Sequence, residues 1–449
     1  MSSRHVVARL PVETGRSGWE AISARAFTPA TLTESIRADW VIVGGGFGGL
    51  AAARRLLQIC PGDRIVLLDA QLLAQGAAGR NSGYMIDVPH NLSSGEYSSA
   101  DADATALEIA QNRYAIDFAK SAAAEYGISR DTFDPSGKIN AAASERGMKH
   151  NAKYAESLQR IGEARTILDE QAMRELTGSD YYLGGLHTPG AVMIQPASYI
   201  TAFAAGVHPK IRIFENSPVT SLEREGGSWK LQTPKGSVSA PKVILAVNGH
   251  IQDFGHFKGR LMHVFTYASM TAAYNQADFG GKASGAERWA LLPADPMGAT
   301  VRKIGDNGKS RIVVRTRFTY DPSMQVSQAR MDSIAADQRK SFVARFPELA
   351  AVPMEYSWAG RLCLSLNNVP AFGEIEPGLY SACCENGLGT VKSTLGGMLA
   401  ADLATGTQSI HLDTYRNQPQ PKRIPPEPFA WLGINSVIRW QELWAGREA

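Results

Sequence analysis

Gly44-Gly45-Gly46-Phe47-Gly48-Gly49 sets Gly44, Gly46 and Gly49 in a G-x-G-x-x-G spacing. That spacing suits a pyrophosphate. The first glycine permits a tight turn, the second lets the backbone approach the phosphates, and the third lets a helix pack close to the preceding strand. The helix N-terminus adds free N–H groups and the positive end of its dipole. Asp69 stands 20 residues beyond Gly49, where a carboxylate accepts hydrogen bonds from ribose hydroxyls.

A second run, Gly76-Ala77-Ala78-Gly79-Arg80-Asn81-Ser82-Gly83, lets backbone close over a bulky ligand while Arg80 and Asn81 offer donors to phosphate or ring oxygens. A third, Glu385-Asn386-Gly387-Leu388-Gly389-Thr390, is a glycine turn between an apolar strand, Leu379–Cys383, and a helix expected from about Ser393 to Ala404 with Gly406 as its cap. Lys392 stands either as a charge reinforcing that helix N-terminus or as a solvated surface lysine.

The elements that must carry these turns are legible. Trp40 to Val43 is a short apolar run of the buried parallel-strand type, Leu50 to Ile59 reads as helix, and Arg64 to Leu68 as the next strand, one βαβ unit. Two helical stretches, Asp101 to Tyr126 and Glu145 to Arg160, show no strand between them and read as a cap. Short β runs over 211–247 form a small meander that returns to a buried strand, Val243–Val247. Residues 260–345 mix strands with a helix around Ser327–Phe346. The fold class is α/β, α+β overall: a Rossmann-like domain with an interleaved β-sheet substrate domain. The expected division is an arm over 1–35, a cofactor domain from 36–100, 190–255 and 350–410, a substrate or cap domain from 101–189 and 256–349, and a tail over 411–449 that packs on the body.

Composition narrows the class. The 449 residues carry 46 Lys+Arg against 43 Asp+Glu, a net charge of +3 with no like-charge block able to track a nucleic-acid backbone. Four cysteines without a CxxC pair read as reduced thiols, so the expected compartment is the cytoplasm. The most apolar window, Trp40 to Leu57, is broken by glycines and arginines and is no transmembrane segment. Glycine is in excess at 43 residues, and the three turns account for much of its functional share.

Together GGGFGGLAAA, Asp69 and GAAGRNSG resemble the FAD-binding signature of the D-amino-acid oxidase-like flavoproteins, most of all the γ-glutamylputrescine oxidase type of amine oxidase. Ala78 and Ser82 depart mildly from that group's second motif. The resemblance continues through Trp358-Ala359-Gly360-Arg361, Asn368–Gly373, Glu385–Thr390 and the tail IPPEPFAWLG. It implies FAD, held non-covalently, against Gly44, Gly46, Phe47, Gly48, Gly49, Asp69, Ala70, Gly79 through Gly83, Tyr84, Met85, Gly360 and Asn386 through Thr390, with Val219 touching the adenine side through its backbone. It also implies hydride transfer from a C–H beside an amine nitrogen to flavin N5, giving an imine that water hydrolyses, with oxygen or another electron acceptor closing the cycle. Such a step needs a neutral, well-placed amine more than a strong base, so no general base is nominated. Cys383 and Cys384 do not match a covalent attachment site.

Substrate choice rests on less. Alternation puts Arg315 and Arg317 on one strand face with Tyr320 just beyond; two guanidinium groups there suit a carboxylate, sulfonate or phosphonate, or else belong to a salt-bridged edge strand. Arg361 is a second candidate for that task. Tyr84 and Met85 are placed to wall the pocket, with Met85 equally suited to fill the core. His250, His256 and His263 fit no metal spacing and read as structural or solvated. The leading expectation is oxidation of a small amine or amino acid. The sequence leaves open an NAD(P)H-using flavin monooxygenase, a flavin-bearing subunit inactive alone, and assembly with a small partner subunit or as a homodimer.

Overall fold

A strand buried on both faces needs no polar alternation, and Trp40–Val43 has none: all four residues are buried. In the computed structural model, which describes every residue except 1–3, 26, 90–101, 280–284 and 307, this strand lies inside a six-stranded sheet. Across it the order is Arg212–Phe214, Ile65–Leu68, Trp40–Val43, Lys242–Leu245, Leu379–Cys383 and Ala371–Glu376. The first five run parallel and the last antiparallel. Helix Phe47–Ile59 crosses between Trp40–Val43 and Ile65–Leu68, and helix Gly389–Thr405, closed by Gly406 at φ 77°, follows Leu379–Cys383. The two helices touch backbone to backbone, since a Cβ at Gly397 would stand 2.0 Å from the Gly48 carbonyl oxygen.

A five-stranded sheet stacks beside this one, in the order Arg4–Val6, Ser221–Glu225, Ser228–Gln232, Ser237–Ala240, Ser35–Arg37. Val41, Val43, Leu68, Trp229, Leu231 and Val243 share the core between them. The N-terminal segment thus enters the body as a strand.

The third large unit is an eight-stranded sheet in the order Met354–Ser365, Leu261–Thr271, Lys309–Tyr320, Thr300–Asp306, Trp289–Pro293, Lys138–Ala142, Gly184–Thr188, Thr166–Leu168. Helix Gln328–Arg345 packs on it through Met331 and Ile334 against Phe265 and Tyr267. A small three-stranded sheet, Tyr84–Met85, Val192–Ile194 and Phe133–Asp134, joins the halves.

Two expectations change here. Strands Phe133–Asp134 and Lys138–Ala142 do lie between helices Ala102–Glu125 and Glu145–Arg160. Their polarity hid them: Lys138, 1 % exposed, donates to Asn140 Oδ1 at 3.0 Å and to Tyr154 Oη at 3.2 Å, so a strand with two buried polar residues shows no apolar period. Strand Met354–Ser365, grouped above with the cofactor domain, instead belongs to the eight-stranded sheet, paired along its length with Leu261–Thr271. The expected domain limit at 100/101 lies outside the described residues.

Candidate active site

The three glycine turns meet around one cleft. Gly44 through Gly48, Asp69, Ala70, Gly76 through Ala78, Asn81, Ser82, Tyr84, Val219 and Gly387 through Val391 line it, with about 1990 Å³ of space between the atoms including its mouth.

The turns are built to present backbone. Gly44 takes φ 102°, and a Cβ on Gly49 would fall 1.8 Å from the Gly44 carbonyl oxygen, so the helix can seat this close to the strand only with glycine there. Helices Phe47–Ile59 and Gly389–Thr405 begin at Gly46 and Leu388 without a side-chain cap, and both starts line the cleft. Two sets of helix-terminal N–H groups therefore face the same space, the donor set an FAD pyrophosphate and ring oxygens require. The residues fit that cofactor.

Asp69 lies on the wall, its carboxylate accepting from the Gly45 N–H at 2.7 Å and the Gln71 N–H at 2.9 Å. Burial pushes its pKa up to about 6. Glu385, unremarked in the sequence beyond its place in the third motif, also lines the cleft, and burial pushes it up to about 7.

Several expected contacts lie elsewhere. Arg80 is 4 % exposed and offers nothing to a ligand. Its Nε donates to the Gln75 carbonyl at 2.6 Å, Nη1 to Thr14 at 3.3 Å and Ala359 at 3.1 Å, and Nη2 to Gly15 at 2.5 Å. It ties the N-terminal arm to the second glycine loop. Gly79 and Gly360 pack inside the protein: a Cβ on Gly79 would stand 1.8 Å from the Ala74 carbonyl oxygen, and one on Gly360 3.0 Å from that of Arg80. Gly83 underlies Arg302, whose Nη1 donates to the carbonyls of Ser82 and Gly83. Met85 is fully buried in the three-stranded sheet. Asn386 accepts from the Ser365 N–H at 2.8 Å and shapes the third turn from behind. Lys392 forms a 2.5 Å ion pair with Glu108, away from the cleft wall.

The two arginines of Lys309–Tyr320 part company. Against strand Leu261–Thr271, Thr266 faces Phe318 but Tyr267 faces Thr316, so Arg317 is the extra residue of a bulge, at φ 64°. The bulge breaks the two-residue period, and Arg317 turns outward to Asp337 and Glu442, each at 3.1 Å. Tyr320 likewise leaves the site, its hydroxyl donating to Glu427 at 2.6 Å. Arg315 stays in the cleft wall. Its Nη2 donates to Thr300 Oγ1 at 2.9 Å, while Nη1 is shielded from water with no hydrogen-bond partner among the described residues. Burial lowers its pKa to about 10, a guanidinium still charged at neutral pH. Tyr84 Oη and Thr266 Oγ1, on the same wall, also lack partners. Burial raises the Tyr84 phenol well above its usual range.

Arg361 lines the cleft too, but in a chain of charges the sequence did not disclose. It pairs with Glu13 and donates to His250 Nε2 at 2.9 Å; His250 Nδ1 lies 3.2 Å from Asp253, which also accepts from Arg9 at 3.0 Å. Burial lowers the His250 pKa and pushes His263, on the same wall, down to about 3, so both rings are neutral at pH 7. Arg9 and Glu13 come from the arm, whose residues Val7, Leu10 and Pro11 also line the cleft. No local motif links partners more than 200 residues apart.

Cys383 and Cys384 are buried outside the cleft wall. Cys363 lines it, and a hydrogen bond with Cys384 together with burial holds its thiol well above the usual range. A protonated thiol is a poor nucleophile, which fits a cofactor held without a covalent bond.

Residues 39–403 match the DAO family of FAD dependent oxidoreductases. The chain belongs to that family. It is an FAD-dependent enzyme. It is 27% identical over 390 residues to the probable oxidoreductase OrdL of Haemophilus influenzae, covering 84% of each chain, and 25% identical over 422 residues to γ-glutamylputrescine oxidoreductase of Escherichia coli, covering 90% of this chain and 92% of that one. Among solved structures, glycine oxidase from Geobacillus kaustophilus superposes with a TM-score of 0.68 at 19% identity, over 87% of this chain and all of that one. L-amino acid deaminase from Proteus myxofaciens gives 0.67 at 15%, over 93% and 99%. These two share the fold.

Proposed function

We propose that the enzyme oxidises the C–N bond of a small amine or amino acid bearing one anionic group. The observation that carries this is the Arg315 guanidinium, buried at the cleft wall with Nη1 unpartnered. A buried charged donor without a partner is costly, and an anionic substrate group relieves that cost. Relatives named for amine and amino-acid chemistry agree with this class of substrate.

FAD supplies the hydride acceptor. Arg315 then orients the substrate by its anionic end, with Tyr84 Oη and Thr266 Oγ1 as further hydrogen-bonding groups on that wall. Burial disfavours charge on the imidazoles of His250 and His263, and the Arg361 guanidinium on that wall is balanced by Glu13. Loss of hydride from the carbon beside the amine nitrogen gives an imine, and water converts it to a carbonyl compound and ammonia or a shorter amine.

The test is an anaerobic screen of amines and amino acids for bleaching of the flavin absorbance, followed by kinetics of Arg315→Ala. With an acidic substrate, KM should rise roughly ten- to hundredfold, the worth of one charged hydrogen bond, and hardly move with a neutral amine. Equal effects on both substrates would remove Arg315 from recognition. A chain that bleaches with no amine or amino acid would overturn the substrate class.

A further inference from the structure

Helix Phe429–Ala445 is fastened on one side and bare on the other. On the inner side Glu442, 6 % exposed, accepts from Arg317 Nη1 at 3.1 Å and from the Phe318 N–H at 2.7 Å, and Asn435 exchanges two 3.0 Å hydrogen bonds with the Tyr320 backbone. Glu427, just before the helix, accepts from the Tyr320 hydroxyl and from the Trp431 N–H. The outer side carries Phe429, Leu432, Val437, Trp440, Leu443 and Trp444, between 53% and 81% exposed. At 3.6 residues per turn all six fall within about 140° of the helix circumference, one broad face. Single exposed apolar residues need no explanation, but a continuous aromatic stripe marks an interaction surface.

The charges nearby choose between occupants. Lys422, Arg423 and Arg447 are exposed along the same segment, and Arg439, also exposed, pairs with Glu442 at 2.8 Å. The carboxylates of Glu442 and Glu448 turn inward, Glu448 accepting from the Ala143 N–H at 2.9 Å and Ser144 Oγ at 2.7 Å. Both oxygens of Glu427 are engaged. A second copy laid on this face would set bases against bases, with no free carboxylate on the segment to answer them. A bilayer bearing anionic headgroups answers them, and tryptophan is the side chain that settles at headgroup level. The helix has 17 residues, and no helix among the described residues is long and apolar enough to cross a membrane. An in-plane position follows.

We propose that Phe429–Ala445 is an interfacial helix that seats the enzyme on an anionic lipid surface, with Trp440, Leu443 and Trp444 in the acyl boundary and the flanking arginines at the phosphates. The test uses the full chain loaded with FAD. Co-sedimentation is measured with vesicles of phosphatidylcholine alone and with about 30 % phosphatidylglycerol, at low salt and at about 0.5 M NaCl, where surface charge is screened. Binding should appear with the anionic vesicles and fall at least about tenfold on removing the anionic lipid or adding salt. The triple variant Trp440→Ser, Leu443→Ser, Trp444→Ser should lose more than about a hundredfold in partitioning while keeping the wild-type flavin spectrum and Tm. In parallel, acyl-brominated lipid should quench tryptophan fluorescence of the wild type, a measurement that needs no variant. Absence of binding to anionic vesicles at low salt, equal binding by the triple variant, or no quenching each overturns the proposal. So does a wild-type dimer that the triple variant splits without any vesicle binding, which would give the face to a second copy.

Discussion

Replacing Arg80 by alanine separates two roles that look alike in sequence, gripping the cofactor and gripping the chain. The side chain donates to four backbone carbonyls, those of Thr14, Gly15, Gln75 and Ala359, and lies 3.7 Å from Glu13. Alanine leaves these acceptors without their donor. A buried group left unsatisfied costs about 1–3 kcal/mol, but carbonyls of the arm can regain water once it loosens. Allowing for that, and for Glu13 keeping Arg361 as a partner, the loss should be about 3–5 kcal/mol, comparable with breaking a buried ion pair.

The loss should be visible without cofactor. Urea unfolding of the FAD-free protein should show it in full, and limited proteolysis should cut within residues 1–35, because Arg80 holds that segment down. FAD affinity should fall as a consequence, since Val7, Arg9, Leu10 and Pro11 wall the cleft only while the arm is closed. Arg80→Lys keeps a charge near Glu13 but cannot reach carbonyls in several directions, so it should fall between wild type and alanine. FAD affinity that drops while FAD-free stability stays within about 0.5 kcal/mol of wild type would refute the assignment and return Arg80 to the cofactor.

Arg317→Ala should destabilise the protein by about 1–3 kcal/mol through the loss of its bonds to Asp337 and Glu442, yet leave KM unchanged; steady-state kinetics beside thermal unfolding decide this. Gly49→Ala should abolish FAD retention and cost more than about 3 kcal/mol, because the added Cβ meets backbone, which cannot swing aside; the absorbance of the purified protein reports it. Glu385 titrates near 7 in the folded state against an ordinary 4.5. Its raised value means the folded state binds the extra proton, so this stability is present below about pH 4.5 and lost as pH rises through about 7. FAD-free Glu385→Gln should therefore match wild type near pH 4.5 and exceed it by up to about 3 kcal/mol near pH 8. A constant difference across that range would contradict it.

The cofactor half was legible because its signals are local. Trp40–Val43, the helix beginning in Gly44–Gly49 and the strand ending before Asp69 each announce themselves within a few residues, by apolar run, glycine spacing and the position of one acid. The same logic misled at Arg80, which sits inside a glycine loop of the right composition and serves a partner 65 residues earlier in the chain. Arg317 takes the salt-bridged alternative, and leaves the face of Arg315, for a different reason. Period-two reasoning assumes an unbroken ladder, and nothing in RIVVRTRF reveals the bulge that inserts one residue. The wall built by Arg9, Glu13, Asp253, His250 and Arg361 is a product of topology, assembled from three segments that carry no mutual pattern.

That one bulge alters the charge count on which substrate recognition turns. An unbroken strand would set Arg315 and Arg317 side by side, a doubly cationic wall suited to a phosphonate or a dicarboxylate. With Arg317 turned toward Glu442, and with Arg361 held by Glu13, Arg315 is the guanidinium left with an unpartnered N–H among the described residues lining the cleft. One guanidinium can balance one negative charge. On the proposed reading, an amine carrying one anionic group should therefore turn over better than a dianionic homologue. The side chains that would have favoured the dianion are instead the ones that fasten the tryptophan-bearing helix, so the same bulge that sets the charge of the substrate pocket also makes the anchor for the outer surface.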